Sequence, residues 1–326
     1  MLITNGFVDN EPDVSVNLVD EIMKMKREKN AIILAHYYQT SDIQDIADFI
    51  GDSLALSQKA ESNDADIILF AGVNFMAETA KILAPEKKVL LPDLMAGCSL
   101  AESCNPSDFR KFLDENPGRT VISYVNTSAE IKAMTDIICT SSNALKIVES
   151  LPEGEKIIFA PDRNLGSYIK NQTDRDMIIW DGACHVHEEF SLEGIIKLKR
   201  ENPDAKIIVH PECQLPVRLV ADFIGSTAAL LKYSKEDGAQ TFIIATEPGI
   251  IHQMKKSSPS KTFIPAPGKD STCGCSECNF MKLITLKKIY NTLKFEQPEI
   301  ILEKELMDKA RRSIRRMLDI SEKLGL

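Results

Sequence analysis

The sequence predicts an α/β protein made of three similar α/β/α domains with parallel sheets, arranged around a pseudo-threefold axis. Two observations support this. Short apolar runs alternate with helical patterns along the chain, as in parallel sheets covered by helices. The pattern also recurs three times with a period of about 87 residues. Three copies of this size suit a closed arrangement, in which the strand ends of all three face one shared site.

The first strand of each repeat runs into polar residues. The apolar runs are AIILAHYYQ (31–39), RTVISYVNT (119–127) and KIIVHPECQ (206–214). Each predicts a buried strand. Two polar positions recur at the strand ends, and successive copies of each are separated by 88 and then 86 residues. One position holds Tyr38, Asn126 and Glu212. The other, two places earlier, holds His36, Tyr124 and His210. These side chains are candidates for hydrogen bonding and proton transfer.

A hydroxyl residue follows in each repeat, ahead of a helical pattern. The segments are DIADFIGDSLALSQKA, MTDIICTSSNALKIVE and LVADFIGSTAALLKYS, and the hydroxyls are Ser53, Ser141 and Thr227. Each alone is an ordinary N-cap candidate. Three equivalent helix N-termini near one axis instead indicate an anion site. They predict a substrate with carboxylates and a phosphate, or one of similar charge.

Each repeat continues with a strand that leads through a turn into a helix, and closes with a cysteine-containing loop. Further helical patterns precede each block, and two more follow residue 279, which we interpret as packing elements. We place the domains at residues 1–105, 106–190 and 191–326. The first two end just after Cys98 and Cys184, and the third includes the C-terminal helices.

Cysteines at the ends of the repeats predict a shared metal site. Cys98 and Cys184 lie 86 residues apart, whereas the third repeat offers three cysteines, between which spacing does not choose: Cys273, Cys275 and Cys278. Zinc is one candidate metal. The other is a [4Fe–4S] cluster held by three thiolates, whose fourth iron stays open as a Lewis acid.

The loop DGACHVHEEF (181–190) also holds residues typical of a local zinc site. His185, His187, Glu188 and Glu189 have no counterparts in the loops of the other repeats. We therefore interpret them as loop solvation and the start of a helix, and assign only Cys184 to the shared site. CGCSEC (273–278) is a second candidate for a zinc knuckle or a redox pair, and Cys139 reads as a core thiol.

Glu212 is the only carboxylate among the six strand-end residues, which makes it the first candidate for a general base. His36 and His210 are candidates to orient or protonate oxygen atoms, or to neutralise carboxylates.

Composition and charge argue against several classes of protein. The net charge of −9 argues against a nucleic-acid partner. No apolar run approaches the length of a membrane span, and the N-terminus lacks the features of a signal peptide. We expect a cytoplasmic protein, whose eight cysteines do not form a disulfide framework.

From about residue 17 to 320 the chain resembles the quinolinate synthase family, an iron–sulfur enzyme family of de novo NAD biosynthesis. The resemblance rests on motifs that include ILAHYYQ, DIADFIGDSL, GVNFMAE, YVNTSAE, APDRNLG, CHVHEEF, VHPEC and TEPGIIH. It implies three α/β domains around a pseudo-threefold axis. It also implies a transferase-type condensation of iminoaspartate with dihydroxyacetone phosphate to quinolinate, with loss of phosphate and water.

The resemblance also implies the site residues. One [4Fe–4S] cluster per chain, with one open iron, is expected on Cys98, Cys184 and Cys278. Proton transfer falls to Glu212, with Tyr38 or His210 nearby. The expected substrate contacts are His36, Tyr38, Ser53, Tyr124, Asn126, Ser141, His210, Glu212 and Thr227. The chain reads C-x-C-x-x-C where many bacterial members read C-x-x-C-x-x-C, which leaves open the roles of Cys273 and Cys275. An enzyme that supplies iminoaspartate is an expected partner.

Two rival functions remain. An iron–sulfur hydro-lyase acting on a hydroxy-acid shares the open iron but needs no phosphate site. An iron–sulfur sensor that binds nucleic acid or a partner protein needs a basic surface. KARRSIRRMLDISEKL (309–324) is the one candidate for that surface, and its spacing reads as a solvated amphipathic face.

Overall fold

The computed structural model describes residues 3–269 and 277–326. Its chain opens with a two-stranded antiparallel hairpin, β1 (Ile3–Thr4) and β2 (Phe7–Val8). Asn5 and Gly6 make the turn with φ of 54° and 89°, the positive values that a tight Asn-Gly hairpin turn requires.

Three parallel four-stranded sheets follow, which confirms the predicted fold class. Their strands, in chain order, are β3 (Ala31–His36), β4 (Phe49–Gly51), β5 (Ile67–Ala71) and β6 (Lys88–Leu90); β7 (Thr120–Tyr124), β8 (Ile137–Cys139), β9 (Ile157–Ala160) and β10 (Met177–Ile179); β11 (Lys206–Val209), β12 (Phe223–Ile224), β13 (Thr241–Ala245) and β14 (Thr262–Pro265). In space each sheet runs second, first, third, fourth strand. The three repeats therefore share one topology. The domain boundaries after 105 and 190 stay predictions.

Helices connect the parallel strands, as such connections require. Those of the first repeat are α1 (Leu18–Glu28), α2 (Ser41–Ile46), α3 (Ser53–Glu61), α4 (Asn74–Leu83) and α5 (Ser99–Glu102). Those of the second are α6 (Pro106–Glu115), α7 (Ala129–Ala133), α8 (Ala144–Glu149), α9 (Arg163–Thr173) and α10 (His185–Glu188). Those of the third are α11 (Leu192–Glu201), α12 (Leu215–Leu219), α13 (Thr227–Glu236) and α14 (Ile250–Ser257). The short helices α2, α7 and α12 were not predicted.

A repeated aspartate fixes the start of each sheet. Asp48, Asp136 and Asp222 precede the second strand of their repeats. Each accepts a hydrogen bond from a main-chain N–H of the first strand, at 2.7 Å from Ile33, 2.8 Å from Val121 and 2.8 Å from Ile207. The period read from the sequence thus reappears as the same contact three times.

The hydrophobic cores divide the molecule unequally. One cluster runs from the first sheet into the second, and it also contains buried residues of the C-terminal helices. The outer face of the second sheet packs in a smaller cluster around Phe109. The third sheet has two clusters of its own, one on each face, around Ile207 and Phe242. The third repeat is thus packed more independently than the other two.

The chain ends in two helices, α15 (Leu286–Phe295) and α16 (Lys304–Lys323), as the sequence predicted. Helix α15 packs on α1 and β2, and α16 packs on α7 and β8. Ile314 and Met317 lie on the buried face of α16, and its other face is solvated, so the amphipathic interpretation of 309–324 is confirmed. Among the described residues, no helix combines the length and the apolar character that a bilayer crossing requires.

Candidate active site

A cavity is lined by residues of all three repeats. The structure brings all twelve predicted site residues to it, four from each repeat: His36, Tyr38, Ser53 and Cys98; Tyr124, Asn126, Ser141 and Cys184; His210, Glu212, Thr227 and Cys278. His36 and Tyr124 close their strands, and His210 directly follows its own. The carboxyl ends of the three sheets therefore meet at one place, as parallel α/β units predict.

One side of the cavity carries a row of polar side chains in close mutual contact, which we call the paired wall. Its members are Tyr38, Thr246, His187, Glu212 and Tyr124. The Tyr38 hydroxyl lies 2.7 Å from Thr246 Oγ1, which lies 3.0 Å from His187 Nε2. His187 Nδ1 lies 3.2 Å from Glu212 Oε2. The Tyr124 hydroxyl donates to Glu212 Oε1 at 2.6 Å. These contacts join side chains of all three repeats.

Glu212 is held ionised inside this wall. Burial opposes its charge, but the nearby imidazole of His187 and the hydrogen bond from Tyr124 outweigh burial and hold the pKa of the carboxyl below its usual range. Burial raises the pKa of both tyrosine hydroxyls well above the ordinary value, so they stay protonated. The wall therefore combines one carboxylate with neutral donors.

His36 and His210 occupy equivalent places and share one tautomer. Nδ1 of His36 accepts the main-chain N–H of Tyr38 at 3.2 Å, and Nδ1 of His210 accepts that of Glu212 at 3.4 Å. Because Nδ1 is the acceptor, Nε2 carries the proton. Nε2 of His210 lies 3.2 Å from Ser141 Oγ. Burial lowers the pKa of both histidines to about 3, so they are neutral donors at pH 7.

His187 corrects the interpretation of DGACHVHEEF as solvated loop. The residue is only 3% exposed, and its ring stacks on His210 with centroids 4.7 Å apart. Glu188 is also engaged, since its Oε1 accepts from Asn164 at 2.6 Å. The predicted helix start is correct, because Cys184 is the N-cap of α10. Repeat comparison missed His187 because the other two loops carry no equivalent.

The hydroxyl triplet does not cap its helices, which corrects the simple N-cap expectation. Asp52 and Ser226 are the caps of α3 and α13, and each accepts a main-chain N–H there. Ser53 and Thr227 occupy the first helical position, so their hydroxyls are not used for capping. Ser141 lies in a turn before the N-cap of α8, Asn143. The side chain of Thr227 instead bonds Tyr38 at 2.8 Å.

Two other lining residues, Asn126 and Ser53, which we call the open wall, have polar groups without partners among the described residues. Asn126 Oδ1 is buried and has no hydrogen-bond partner among the described residues. The Ser53 hydroxyl likewise makes no hydrogen bond within that part of the chain. A buried polar atom left unpaired is costly. These two groups are therefore placed to bind a ligand.

Two further carboxylates line the cavity and were missed from the sequence: Asp52 and Glu247. Glu247 is fully buried, and the ammonium of Lys282 lies 2.8 Å from its Oε1. Thr246 and Glu247 directly follow strand β13, so their strand-end position was the available signal. No lysine or arginine lies among the described lining residues. Anion binding here falls to neutral donors and to the helix N-termini of α3 and α13.

The three cysteines occupy equivalent places. Cys98 and Cys184 are the N-caps of the one-turn helices α5 and α10, and a 3₁₀ turn, Met281–Leu283, follows Cys278. Burial raises the pKa of all three thiols, that of Cys98 to about 12; Cys278 adds to this for Cys98, and Glu212, Cys98 and Cys278 add to it for Cys184. Such buried, adjacent thiols become thiolates when a metal binds them.

The donor atoms form one compact set and one wider set. Among the described residues, only one set of three ligand atoms lies within 4.8 Å of one another: Cys184, His187 and Glu212. The sulfurs of Cys98, Cys184 and Cys278 do not all lie within that distance, whereas the S···S distance in a tetrahedral zinc site is about 3.8 Å. The wider set of thiols leaves room for a polynuclear cluster. Cys273 and Cys275 lie outside the described residues.

The family model and the similar proteins found by comparison all indicate one family. A family model described as quinolinate synthetase A protein matches residues 20–319. The chain is similar to the quinolinate synthase of Microcystis aeruginosa, with 59% identity over 312 residues, which cover 96% of this chain and 98% of that one. It is 59% identical over 305 residues to that of Rippkaea orientalis, with 94% of each chain covered. It is 55% identical over 324 residues to that of Trichormus variabilis, covering 98% and 100%.

Proposed function

The chain belongs to the quinolinate synthetase A protein family, and on that premise we propose that it is a quinolinate synthase. It condenses iminoaspartate with dihydroxyacetone phosphate to quinolinate, with loss of phosphate and water, in NAD biosynthesis. The observation that carries this proposal is the meeting of Cys98, Cys184 and Cys278 with Glu212 around one cavity. The hydro-lyase alternative finds no support, since the reported relatives are all named quinolinate synthase.

We propose that Cys98, Cys184 and Cys278 hold one [4Fe–4S] cluster with one open iron. When bound, the cluster supplies a Lewis acid toward an oxygen or nitrogen atom of the substrate. The protein contributes the rest of the chemistry. Side chains of three repeats surround the cavity, and around bound substrate they limit the access of water, which would hydrolyse the imine.

Substrate binding falls to the open wall and to the helix N-termini. The Ser53 hydroxyl and the main-chain N–H groups in the first turns of α3 and α13 are donors suited to the carboxylates of iminoaspartate and the phosphate of its partner. The unpaired Asn126 Oδ1 is an acceptor, suited to an N–H or O–H of the substrates. Fixing both substrates in one cavity places their reacting carbons side by side.

Proton transfer falls to the paired wall. Glu212 is ionised and takes the proton that must leave carbon for condensation and aromatisation. Tyr38 and His210 are protonated and neutral, and they donate to the oxygen atoms that depart as water. Tyr124 and His187 fix the position of the Glu212 carboxylate.

The state of the cysteines bears on the cellular compartment. All six cysteines that the structure describes are free thiols, which fits a reducing compartment, and we propose the cytoplasm. The partners are small molecules, together with the enzyme that supplies the short-lived iminoaspartate.

The test is an anaerobic purification with iron, sulfide and zinc analysis, followed by a quinolinate assay. We expect about four irons and four sulfides per chain, and quinolinate and phosphate formed in equal amounts. Cys98→Ala, Cys184→Ala and Cys278→Ala should each lose the cluster and the activity, whereas the core variant Cys139→Ala should keep both. One zinc per chain that depends on Cys184, His187 and Glu212 would contradict the proposal. A cluster that survives Cys98→Ala would do the same.

A further inference from the structure

In two repeats, the turn that carries a cavity-facing residue is held by one buried side chain, which hydrogen-bonds two main-chain carbonyls of that turn. The proposed mechanism does not use these side chains. In the first repeat, the buried Gln44 of α2 extends its Nε2 between two main-chain carbonyls. It donates to Tyr37 O at 3.0 Å and to Gln39 O at 2.8 Å, and the same nitrogen lies 3.0 Å from a third acceptor, Gly249 O of the third repeat. The first two carbonyls lie on either side of Tyr38. Gln44 therefore holds the turn from which Tyr38 reaches the paired wall.

Lys132 of α7 makes the same bridge in the second repeat. It lies 88 residues after Gln44 and is fully buried. Its ammonium donates to Val125 O at 2.9 Å and to Thr127 O. These two carbonyls lie on either side of Asn126. In both repeats the bridging residue follows its two acceptors by seven and five positions, so the two devices are geometrically equivalent.

The environment of Lys132 shows that the bridge is its main polar contact. Its Nζ lies 5.4 Å from the centroid of the Phe75 ring, and Phe75 lines the cavity. Burial lowers the pKa of Lys132 to about 8, so it is charged at pH 7. Its own carbonyl accepts from Ser313 of α16 at 2.8 Å, which anchors α7 from behind. The opposite side of the turn carries Asn126, whose Oδ1 lacks a partner among the described residues.

The third repeat departs from the pattern. Arg218 holds the matching position, 86 residues after Lys132, and is also buried. Its Nη2 reaches across to Ser167 of the second repeat at 3.0 Å. The turn at Glu212 carries no such bridge among the described residues; the Glu212 carboxylate accepts a hydrogen bond from Tyr124 and lies 3.2 Å from His187 Nδ1. The bridge is thus a feature of the first two repeats.

We propose that Lys132 and Gln44 are positioning residues, which hold the Asn126 and Tyr38 turns in the geometry needed for substrate binding and proton transfer. The bridge itself is observed as hydrogen bonds in the structure. What the two turns bind rests on the proposed function. Lys132 then acts on substrate affinity through Asn126. Gln44 acts on turnover through Tyr38.

The experiment compares Lys132→Met, Lys132→Gln and Gln44→Leu with the wild-type holoenzyme. Lys26→Met is the matched control, because Lys26 is another buried lysine that donates to a main-chain carbonyl, that of Ile46, at 2.8 Å, outside the cavity lining. The readouts are iron per chain, KM and kcat, the Kd of quinolinate, and amide hydrogen exchange of the segment 120–133.

Lys132→Met should raise KM and the quinolinate Kd about tenfold, with kcat changed less than about threefold and iron content unchanged. Exchange should quicken in 120–133 and stay unchanged in 206–217. Lys132→Gln should restore most of the affinity, because a glutamine makes this bridge in the first repeat. Gln44→Leu should lower kcat more than it changes KM, which tests the idea independently if Lys132→Met does not fold.

Three results would overturn the proposal. One is a Lys132→Met enzyme with wild-type KM and quinolinate Kd. Another is a Lys26→Met enzyme that loses the same affinity, because the effect would then be general destabilisation. A third is a Lys132→Gln enzyme no better than Lys132→Met. If the wild type makes no quinolinate, the proposed function fails, whereas the exchange measurement still decides whether the bridge holds the turn.

Discussion

The paired wall and the open wall differ in how their polar groups are satisfied. On the paired wall, Glu212 accepts from Tyr124 and lies 3.2 Å from His187 Nδ1, and His187 is bonded in turn to Thr246 of another repeat. On the open wall, Asn126 Oδ1 has no partner in the described part of the chain. Close polar neighbours fix the protonation and position of Glu212, which suits proton transfer. Unpaired groups keep their hydrogen-bonding capacity for a ligand. The contrast predicts a turnover defect for one wall and an affinity defect for the other.

The strongest test of the contrast is Glu212→Gln. The amide keeps the shape of the side chain but cannot accept the substrate proton, so we expect kcat to fall by about 10³-fold, within the usual contribution of a general base. Iron content and quinolinate Kd should change little. Glu130→Gln, at an exposed glutamate, serves as the control. A Glu212→Gln enzyme that loses affinity instead of turnover would break the division between the walls.

Tyr124→Phe should have a smaller effect of the same kind. It removes the donor to Glu212 Oε1 at 2.6 Å, a hydrogen bond that stabilises the ionised carboxylate. We expect kcat to fall about tenfold to 150-fold, the loss of one hydrogen bond to a charged group, of about 1.5–3 kcal/mol. Because a donor to the charged form is lost, the pKa of Glu212 rises, and the acidic limb of the pH–rate profile moves to higher pH. An unchanged or lower position of that limb would contradict the assigned contact.

The open wall is tested by Asn126→Ala and Ser53→Ala. Each deletes one ligand-facing group that the protein itself does not use. We expect KM to rise about twofold to twelvefold, the value of one hydrogen bond of about 0.5–1.5 kcal/mol, with kcat nearly unchanged. Because Asn126 Oδ1 is unpaired, Asn126→Ala should also leave Tm unchanged or slightly higher, measured by thermal unfolding of the anaerobic protein. A kcat defect larger than the KM defect would place Asn126 in the chemistry.

The smallest expected effect concerns the shape of the pH profile. Burial lowers the pKa of His36 to about 3, so its imidazole is neutral throughout pH 5.5–8. Replacing it, as in His36→Asn, should lower kcat/KM by one constant factor across that range. The logarithmic profiles of wild type and variant would then run parallel. A pH limb that disappears in the variant would show that His36 titrates during the reaction.

Much of the site was predictable because the chain repeats. A single strand-end histidine such as His36 carries little information. The presence of Tyr124 and His210 at the same position of the other two repeats indicates a shared site. The same logic explains the main error. His187 has no equivalent in the other repeats, so comparison of repeats assigned it to solvent. Its role depends on Glu212 and Thr246, which approach it only in the folded chain.

The helix starts show a second limit. Asp52 and Ser53 are both good N-cap residues, and the sequence does not distinguish which one supplies the cap. Helices α2 and α7 span six and five residues, too short for a 3.6-residue period to be visible. Gln44 and Lys132 lie on these two helices. Their bridging contacts to the Tyr38 and Asn126 turns were therefore not accessible from the sequence.

The position of α16 has a consequence for synthesis on the ribosome. This helix is made after every other element described above, yet it covers α7 and β8 of the second repeat and contributes Ile314 and Met317 to the core shared with the first. The third repeat carries its own cores and can complete them earlier. A growing chain thus leaves its middle exposed until its final residues emerge. Chaperones that bind apolar surface would recognise that stage, and a stop codon before residue 304 would make it permanent.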